Sequence, residues 1–212
     1  AGFASTPTTE MAVVFEEADG GIILTASHNP RQWNALKLLN EKGEFLNAQE
    51  GKAILDCAEK EEFVFADVDS LGVIEEKDYT DAHLDAVLAL PTVDVEAVRN
   101  AHFKVVLDAV NSVGGIIMPR LLDRLGVECV CVNCEPTGEF AHNPEPLPSN
   151  LTELCEAVVT SGADLGISVD PDVDRLALIC EDGKPFGEEY TLVSVADYLL
   201  SRAYDEACPN LL

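Results

Sequence analysis

Two short segments carry residue types that chemistry can use. Thr25-Ala26-Ser27-His28-Asn29-Pro30 sets a hydroxyl beside an imidazole, directly after an apolar run, Ile22 to Thr25, that reads as a buried strand. A loop at the carboxyl end of a strand is where open α/β sheets place ligands. Ser, Asn and Pro are also ordinary turn formers, so a plain turn is the competing reading, with His28 a plain loop histidine. Asp170-Pro171-Asp172-Val173-Asp174-Arg175 follows another apolar run and puts a carboxylate at every second position. Confined like charges repel, their oxygens are the hard donors that Mg²⁺ prefers, and a dication offsets the repulsion. The competing reading is a solvated acidic turn; a calcium EF-hand is disfavoured, because the flanking helices, central Gly and terminal Glu are missing. Lys37 alternates with Leu36 and Leu38 on the next strand and points away from them, as an edge-strand guard or as an acid/base. Arg31, Lys37 and Arg175 are the cations nearest to the two loops.

The chain that must position these residues has 212 of them, more than one small domain and less than two large ones. With 47% apolar residues it has the composition of a globular protein. No apolar run reaches the roughly 18 residues of a membrane-spanning helix, and Ala1-Gly2-Phe3 opens no basic, signal-like region. Both argue against membrane insertion and secretion. With 13 Lys+Arg against 39 Asp+Glu the net charge is −26. Such a chain repels phosphate backbones, which argues against nucleic-acid partners and obliges any anionic small substrate to find a local positive pocket. Seven cysteines form no even disulfide framework. Cys129, Cys131 and Cys134 cluster without a second ligand group, since His142 sits among prolines. Cys129 and Cys131 read instead as thiols buried on one strand face. A reducing, cytoplasmic compartment follows.

Apolar runs and helix-period segments alternate, which is the pattern of α/β layering. Thr6-Pro7 opens a helix with Met11, Val14, Phe15 and Ala18 on one face, ended by Gly20-Gly21. A strand spans Ala35 to Leu39, and Asn47 with Glu50 predicts a capping box for a helix through Ala58. Residues 59–91 are acidic and irregular, with a helix near Tyr79 to Leu90 and a boundary at Pro91 to Val95. The next unit reads as a strand Lys104–Val110, a helix from Ser112 to before Gly126 that Pro119 either delays or kinks, and a strand Val127–Val132. A Pro-rich loop follows, then a helix capped by Asn150 and Glu153, with Leu151, Leu154, Cys155 and Val158 as its face and Gly162 as its stop. Strands Asp164–Val169 and Leu176–Cys180 complete it. After Gly187 a single helix with Leu192, Val195, Ala196 and Leu199 at helical spacing has nothing to bury against. The expected division is 1–92, 93–186 and 187–212, as a piece of a longer protein.

Together these segments resemble the α-D-phosphohexomutases: phosphoglucomutase, phosphomannomutase and phosphoglucosamine mutase. TASHNP with the following WNALK resembles that family's phosphoserine loop, SVDPDVDR its metal-binding loop, and VVLDAVNSVGG with EPTGEFAHNPEPLPSNL its second domain. Pro171 departs from the Gly that many members carry. The resemblance implies α/β, mixed-sheet three-layer domains, with 1–92 holding part of domain 1, 93–186 domain 2 and 187–212 the start of domain 3. It implies that Ser27 carries a phosphoryl group and binds Mg²⁺ together with Asp170, Asp172 and Asp174. Lys37 is then the general acid/base, His28 and Asn29 support the phosphoryl group, and Arg175 and Arg31 bind substrate. The implied reaction moves phosphate between the 1- and 6-hydroxyls of a hexose through a hexose 1,6-bisphosphate, in the longer parent rather than in these residues alone. A non-catalytic Mg²⁺- and phosphate-binding module and a Mg²⁺ phosphatase are the alternatives; the phosphatase gives TASHNP no role. The choice of sugar and the oligomeric state are not legible.

Overall fold

A computed structural model of the chain describes residues 1–29, 32–61 and 63–207, the side chains of Glu188 and 203–207 excepted. The elements run α1 (Thr6–Phe15), β1 (Gly21–Leu24), β2 (Leu36–Leu39), α2 (Ala48–Glu59), α3 (Thr80–Leu88), α4 (Val95–Ala101) and β3 (Lys104–Asp108). They continue with α5 (Gly114–Arg124), β4 (Glu128–Val132), α6 (Thr152–Ser161), β5 (Leu165–Val169), β6 (Leu176–Cys180) and α7 (Glu188–Ala207).

β1 and β2 form an antiparallel pair with Gly21 opposite Leu39 and Leu24 opposite Leu36. Successive side chains alternate between faces. One face packs Ile23 and Leu39 against Val13 of α1, whereas Ile22, Leu24 and Leu36 are 66%, 75% and 58% exposed on the other. The expected buried strand is therefore buried on one face only, because one helix covers one side of a two-stranded sheet. The expected face of α1 is also corrected. Val14 and Phe15 are exposed, and Thr6, Thr8, Ala12 and Val13 are the buried residues. Hydrogen bonds from Thr6 to Asp172 and between Thr8 and His83 tie down the amino end and set that rotation. The capping box of α2 is present as expected: Asn47 accepts from Glu50 N–H, and the Glu50 carboxylate accepts from Asn47 N–H at 2.8 Å. Residues 63–78 are exposed throughout and contain one short turn, Val68–Ser70. Helix α4, capped by Asp94, was not expected. Seven residues are too few to display a helical period.

The second sheet has the order β4-β3-β5-β6, with β4, β3 and β5 parallel and β6 antiparallel. Val106 and Ile179 meet Leu154 and Val158 of α6, and Leu151 at its amino end, on one face. Val105 meets Leu122 of α5, Val127 and Val98 on the other. This is the expected mixed sheet between helical layers. Gly166 lets α6 approach, since a Cβ there would stand 2.7 Å from Val158 Cγ2. Pro119 lies inside α5, where its ring costs one intrahelical hydrogen bond without delaying the helix start.

The expected cap of α6 is not formed. Asn150 donates to Glu145 O at 2.8 Å, the Glu153 carboxylate accepts from Asn133, and Leu151 occupies the cap position without a side-chain bond. Gly162, at φ +62°, does end the helix. Because β4 is an edge strand, Cys131 is exposed rather than buried, with Sγ 3.7 Å from that of half-buried Cys129. Burial pushes the Cys129 thiol up to about 12, and Cys208 lies outside the described residues. Leu192, Val195 and Leu199 of α7 are exposed, so the expected apolar side is uncovered. No described helix is long and apolar enough to cross a membrane.

Candidate functional site

Each loop is shaped by its own short-range bonds. After β1, Thr25 Oγ1 accepts from Ser27 N–H at 2.9 Å, and both the amide and the side chain of Asn29 donate to Ala26 O, at 3.0 and 2.9 Å. Asn29 thus closes its own turn, and Ser27 is held at φ +50°, a region that non-glycine residues rarely adopt. After β5, Asp170 Oδ1 accepts the amides of Asp174 and Arg175, each at 3.0 Å, which curls the loop around that carboxylate. Val173 sits at φ +62° on the curl. Ser112 Oγ, at the start of α5, donates to Pro171 O at 2.7 Å and fixes the loop to its sheet.

The two loops meet. Ser27 Oγ donates to Asp170 Oδ2 at 3.1 Å and lies 3.2 Å from His28 Nδ1. Lys37 Nζ donates to Asp172 Oδ2 at 2.6 Å and to Asp174 Oδ2 at 2.8 Å. Ser27, His28, Lys37 and the three aspartates, read separately from the sequence, are therefore one cluster. A cleft of about 460 Å³ beside it is lined by Thr25, Ser27, Ser112, Phe140, Pro171 and Asp172. Arg175 contributes its amide to the loop, but its guanidinium pairs with Glu145 at 3.3 Å, away from the carboxylates. Arg31, with Pro30, lies outside the described residues.

The electrostatics are those of crowded anions with one counter-charge. Burial first, and the adjacent Asp172 charge second, raise Asp170 to about 7. Asp172 is equally enclosed, but bonds from Lys37, Thr6 and Ser27 overcome burial and hold it below the usual carboxylate range. Burial also opposes the charge on Lys37, and its bonds to Asp172 and Asp174 outweigh that, raising it above 10.5 and keeping its proton in place. Glu10 faces the same group and is raised, mainly by burial. Asp170, Asp172 and Asp174 each offer an oxygen within 4.8 Å of the others. Asp172 Oδ1 is buried without a hydrogen-bond partner among the described residues. Hard oxygens, mutual repulsion and an orphaned carboxylate oxygen together fit a divalent cation.

Two residues of the cluster escaped the sequence reading. Thr6, which reads from the sequence only as a helix opener, donates Oγ1–H to Asp172 Oδ2 at 2.6 Å and its amide N–H to Asp172 O at 2.8 Å. Ser112 reads from the sequence only as part of a turn. Both act across more than fifty residues of chain, and no local spacing signals such contacts.

Comparison with known proteins places this geometry. Residues 1–65 match the family model of phosphoglucomutase/phosphomannomutase alpha/beta/alpha domain I, and residues 81–183 match that of domain II. The chain belongs to the phosphoglucomutase/phosphomannomutase family. It is 36% identical over 200 residues to a Thermococcus kodakarensis protein named phosphoglucomutase/phosphomannomutase, covering 94% of this chain and 43% of that protein. It is 38% identical over 184 residues to a Methanosarcina barkeri protein named probable phosphoglucosamine mutase, covering 86% of this chain and 40% of that one. A crystal structure of a phosphoglucomutase/phosphomannomutase family protein from Burkholderia thailandensis superposes with a TM-score of 0.76 at 26% identity, over 94% of this chain and 43% of that one. The chain thus spans about two-fifths of the length of the curated relatives it matches.

Proposed function

We propose that a protein carrying this chain is a Mg²⁺-dependent phosphohexomutase, which moves a phosphoryl group between the 1- and 6-hydroxyls of a hexose through a phosphoserine and a hexose 1,6-bisphosphate. The observation that carries this reading is the convergence of Ser27 Oγ on Asp170 Oδ2 at 3.1 Å, with Lys37 bridging Asp172 and Asp174. Phosphoryl transfer asks a protein mainly to position groups in line and to balance charge. In this reading Ser27 carries the phosphoryl group. The bond from its Oγ to phosphorus breaks as a bond from the sugar hydroxyl oxygen to phosphorus forms, and transfer of the bisphosphate's other phosphoryl group back to Ser27 Oγ completes the cycle. His28, next to Ser27 Oγ, supports the phosphoryl oxygens.

Lys37 enters the cycle with its proton in place, because two aspartates hold it charged. It gives that proton to the departing Ser27 oxygen and takes up the proton of the attacking sugar hydroxyl, so that it ends each transfer charged as it began. Asp170, Asp172 and Asp174 with Ser27 hold Mg²⁺, which when bound neutralises phosphoryl and carboxylate charge. Arg175 reaches substrate by leaving Glu145, with Arg31 and Asn29 as further contacts. We assign residues 1–92, 93–186 and 187–212 to successive domains, and the cytoplasm as compartment. The substrate is one of the glucose, mannose or glucosamine phosphates.

The test is phosphopeptide mapping of the chain after incubation with a hexose 1,6-bisphosphate and Mg²⁺. Phosphate is expected on Ser27, and the Ser27→Ala variant is expected to take up none. Phosphate on another residue, or uptake undiminished in the variant, would remove Ser27 from the role.

A further inference from the structure

We propose that Thr6 is a positioning residue for the cation, selecting which oxygen of Asp172 faces it. This inference rests on the reading that the aspartate loop binds Mg²⁺. Thr6 is the first residue of α1 and is 1% exposed. It makes two bonds to a single residue 166 positions away, amide to Asp172 O and hydroxyl to Asp172 Oδ2. The amide bond fixes where Asp172 sits, and the hydroxyl bond fixes how its carboxylate is turned. Oδ2 already accepts from Thr6 Oγ1 and from Lys37 Nζ, each at 2.6 Å, and is saturated as an acceptor. Oδ1 is buried and has no partner among the described residues. The carboxylate is thus divided by the Thr6 hydroxyl into a structural oxygen and a free one, and the free one is the oxygen left to a metal.

Lys37 cannot do this alone. Its ammonium ends a flexible four-carbon stem, is shared with Asp174, and can follow Asp172 if the carboxylate rotates. Thr6 has one short, stiff side chain at a helix terminus anchored by Ser5, whose hydroxyl accepts from Thr8 N–H at 3.1 Å. Its hydroxyl therefore defines the angle. Mg²⁺ demands near-ideal octahedral placement of its oxygens, whereas Ca²⁺ tolerates irregular sets. Losing the positioning group should therefore cost Mg²⁺ more than Ca²⁺.

The experiment is calorimetric titration of the 212-residue chain with Mg²⁺ alone and with Ca²⁺ alone, for wild type, Thr6→Val, Thr6→Ser and Asp172→Asn. Wild type is expected to bind Mg²⁺ saturably and Asp172→Asn to lose that binding, which tests the metal reading itself. Thr6→Val, nearly isosteric, is expected to weaken Mg²⁺ by about 10–100-fold, the usual loss when a group that orients a ligand is removed. Its Ca²⁺ affinity should fall by less, and Thr6→Ser, which keeps the hydroxyl, should restore Mg²⁺ binding. Wild-type Mg²⁺ affinity in Thr6→Val, or equal losses for the two ions, would overturn the role of Thr6 while the metal reading stands. No saturable binding by wild type would overturn both. If valine prevents folding, Thr6→Ala reads the same loss of the hydroxyl.

Discussion

The serine loop and the aspartate loop touch, yet they are carried by very different scaffolds. The aspartate loop leaves a four-stranded sheet covered by helices on both faces, and Asp170 and Asp172 are themselves buried. The serine loop joins a two-stranded hairpin with helix on one face and exposed Ile22, Leu24 and Leu36 on the other. One half brings a rigid, buried set of oxygens; the other brings a hydroxyl on a strained turn whose position depends on contacts across the gap. If Ser27 carries the phosphoryl group as proposed, this arrangement lets its oxygen be presented to two different partners in turn. A site in which both loops were locked would fix one geometry and disfavour the exchange.

If packing is what separates the halves, a core deletion should matter in one and a surface change hardly at all in the other. Leu154 is fully buried against Val106, Val158 and Ile179. Leu154→Ala is expected to lower the unfolding free energy by about 2–5 kcal/mol, from lost burial plus the cavity left behind. Ile22→Thr, on the open face of the hairpin, should change it by no more than about 0.5 kcal/mol. Urea unfolding of both variants makes the comparison, and similar losses would show that the hairpin face is covered in solution.

Much of this contrast was legible in the sequence, and the reason it was incomplete is physical. The central strands β3 and β5 are legible as apolar runs, because parallel strands covered on both faces need no polar alternation. The capping box at Asn47 and Glu50 was legible because both partners lie within one turn. At Asn150 and Glu153 the same pattern failed, since Glu145 O and Asn133 are tertiary partners that outbid the local ones. In the candidate site, residue types and spacing single out Ser27, Lys37 and the aspartates, but only the family resemblance favours Ser27 over a plain turn and Lys37 over an edge-strand guard. That Arg175 pairs with Glu145, and that Thr6 holds Asp172, depends on contacts between residues distant in the chain.

Charge, by contrast with packing, is spread over both halves. Residues 1–92 hold 18 acidic and 6 basic side chains, and 93–186 hold 16 and 6. At a net charge of −26, self-repulsion opposes the compact state everywhere. Raising KCl from 0.1 to 1 M shortens the screening length from about 10 to about 3 Å. The expected gain is about 2 kcal/mol, or roughly 4–8 °C in the unfolding midpoint for a chain of this size. A midpoint that falls across that range would mean that ion pairs such as Lys37 with Asp172 outweigh the repulsion.

A pH-dependent contact in the packed half sharpens what holds it. Asp108, fully buried at the end of β3, accepts from Val110 N–H at 3.0 Å and faces His142 Nε2 at 2.9 Å. His142 Nδ1 faces Asn143 O at 2.8 Å, so both ring nitrogens meet acceptors, an arrangement that favours the imidazolium. The bond to Asp108 chiefly, against the opposing effect of burial, raises His142 above its ordinary 6.5. A raised folded-state value means stabilisation that is complete below about 6.5 and is lost as pH climbs through the higher folded-state value. His142→Gln should therefore cost about 1.5–2 kcal/mol at pH 6, the lower part of the range for a hydrogen bond to a charged group, and clearly less at pH 9. Unfolding curves of wild type and variant at the two pH values decide it. An equal cost at both would mean that the ring is neutral, and that the Pro-rich loop is pinned to the sheet by shape rather than by charge.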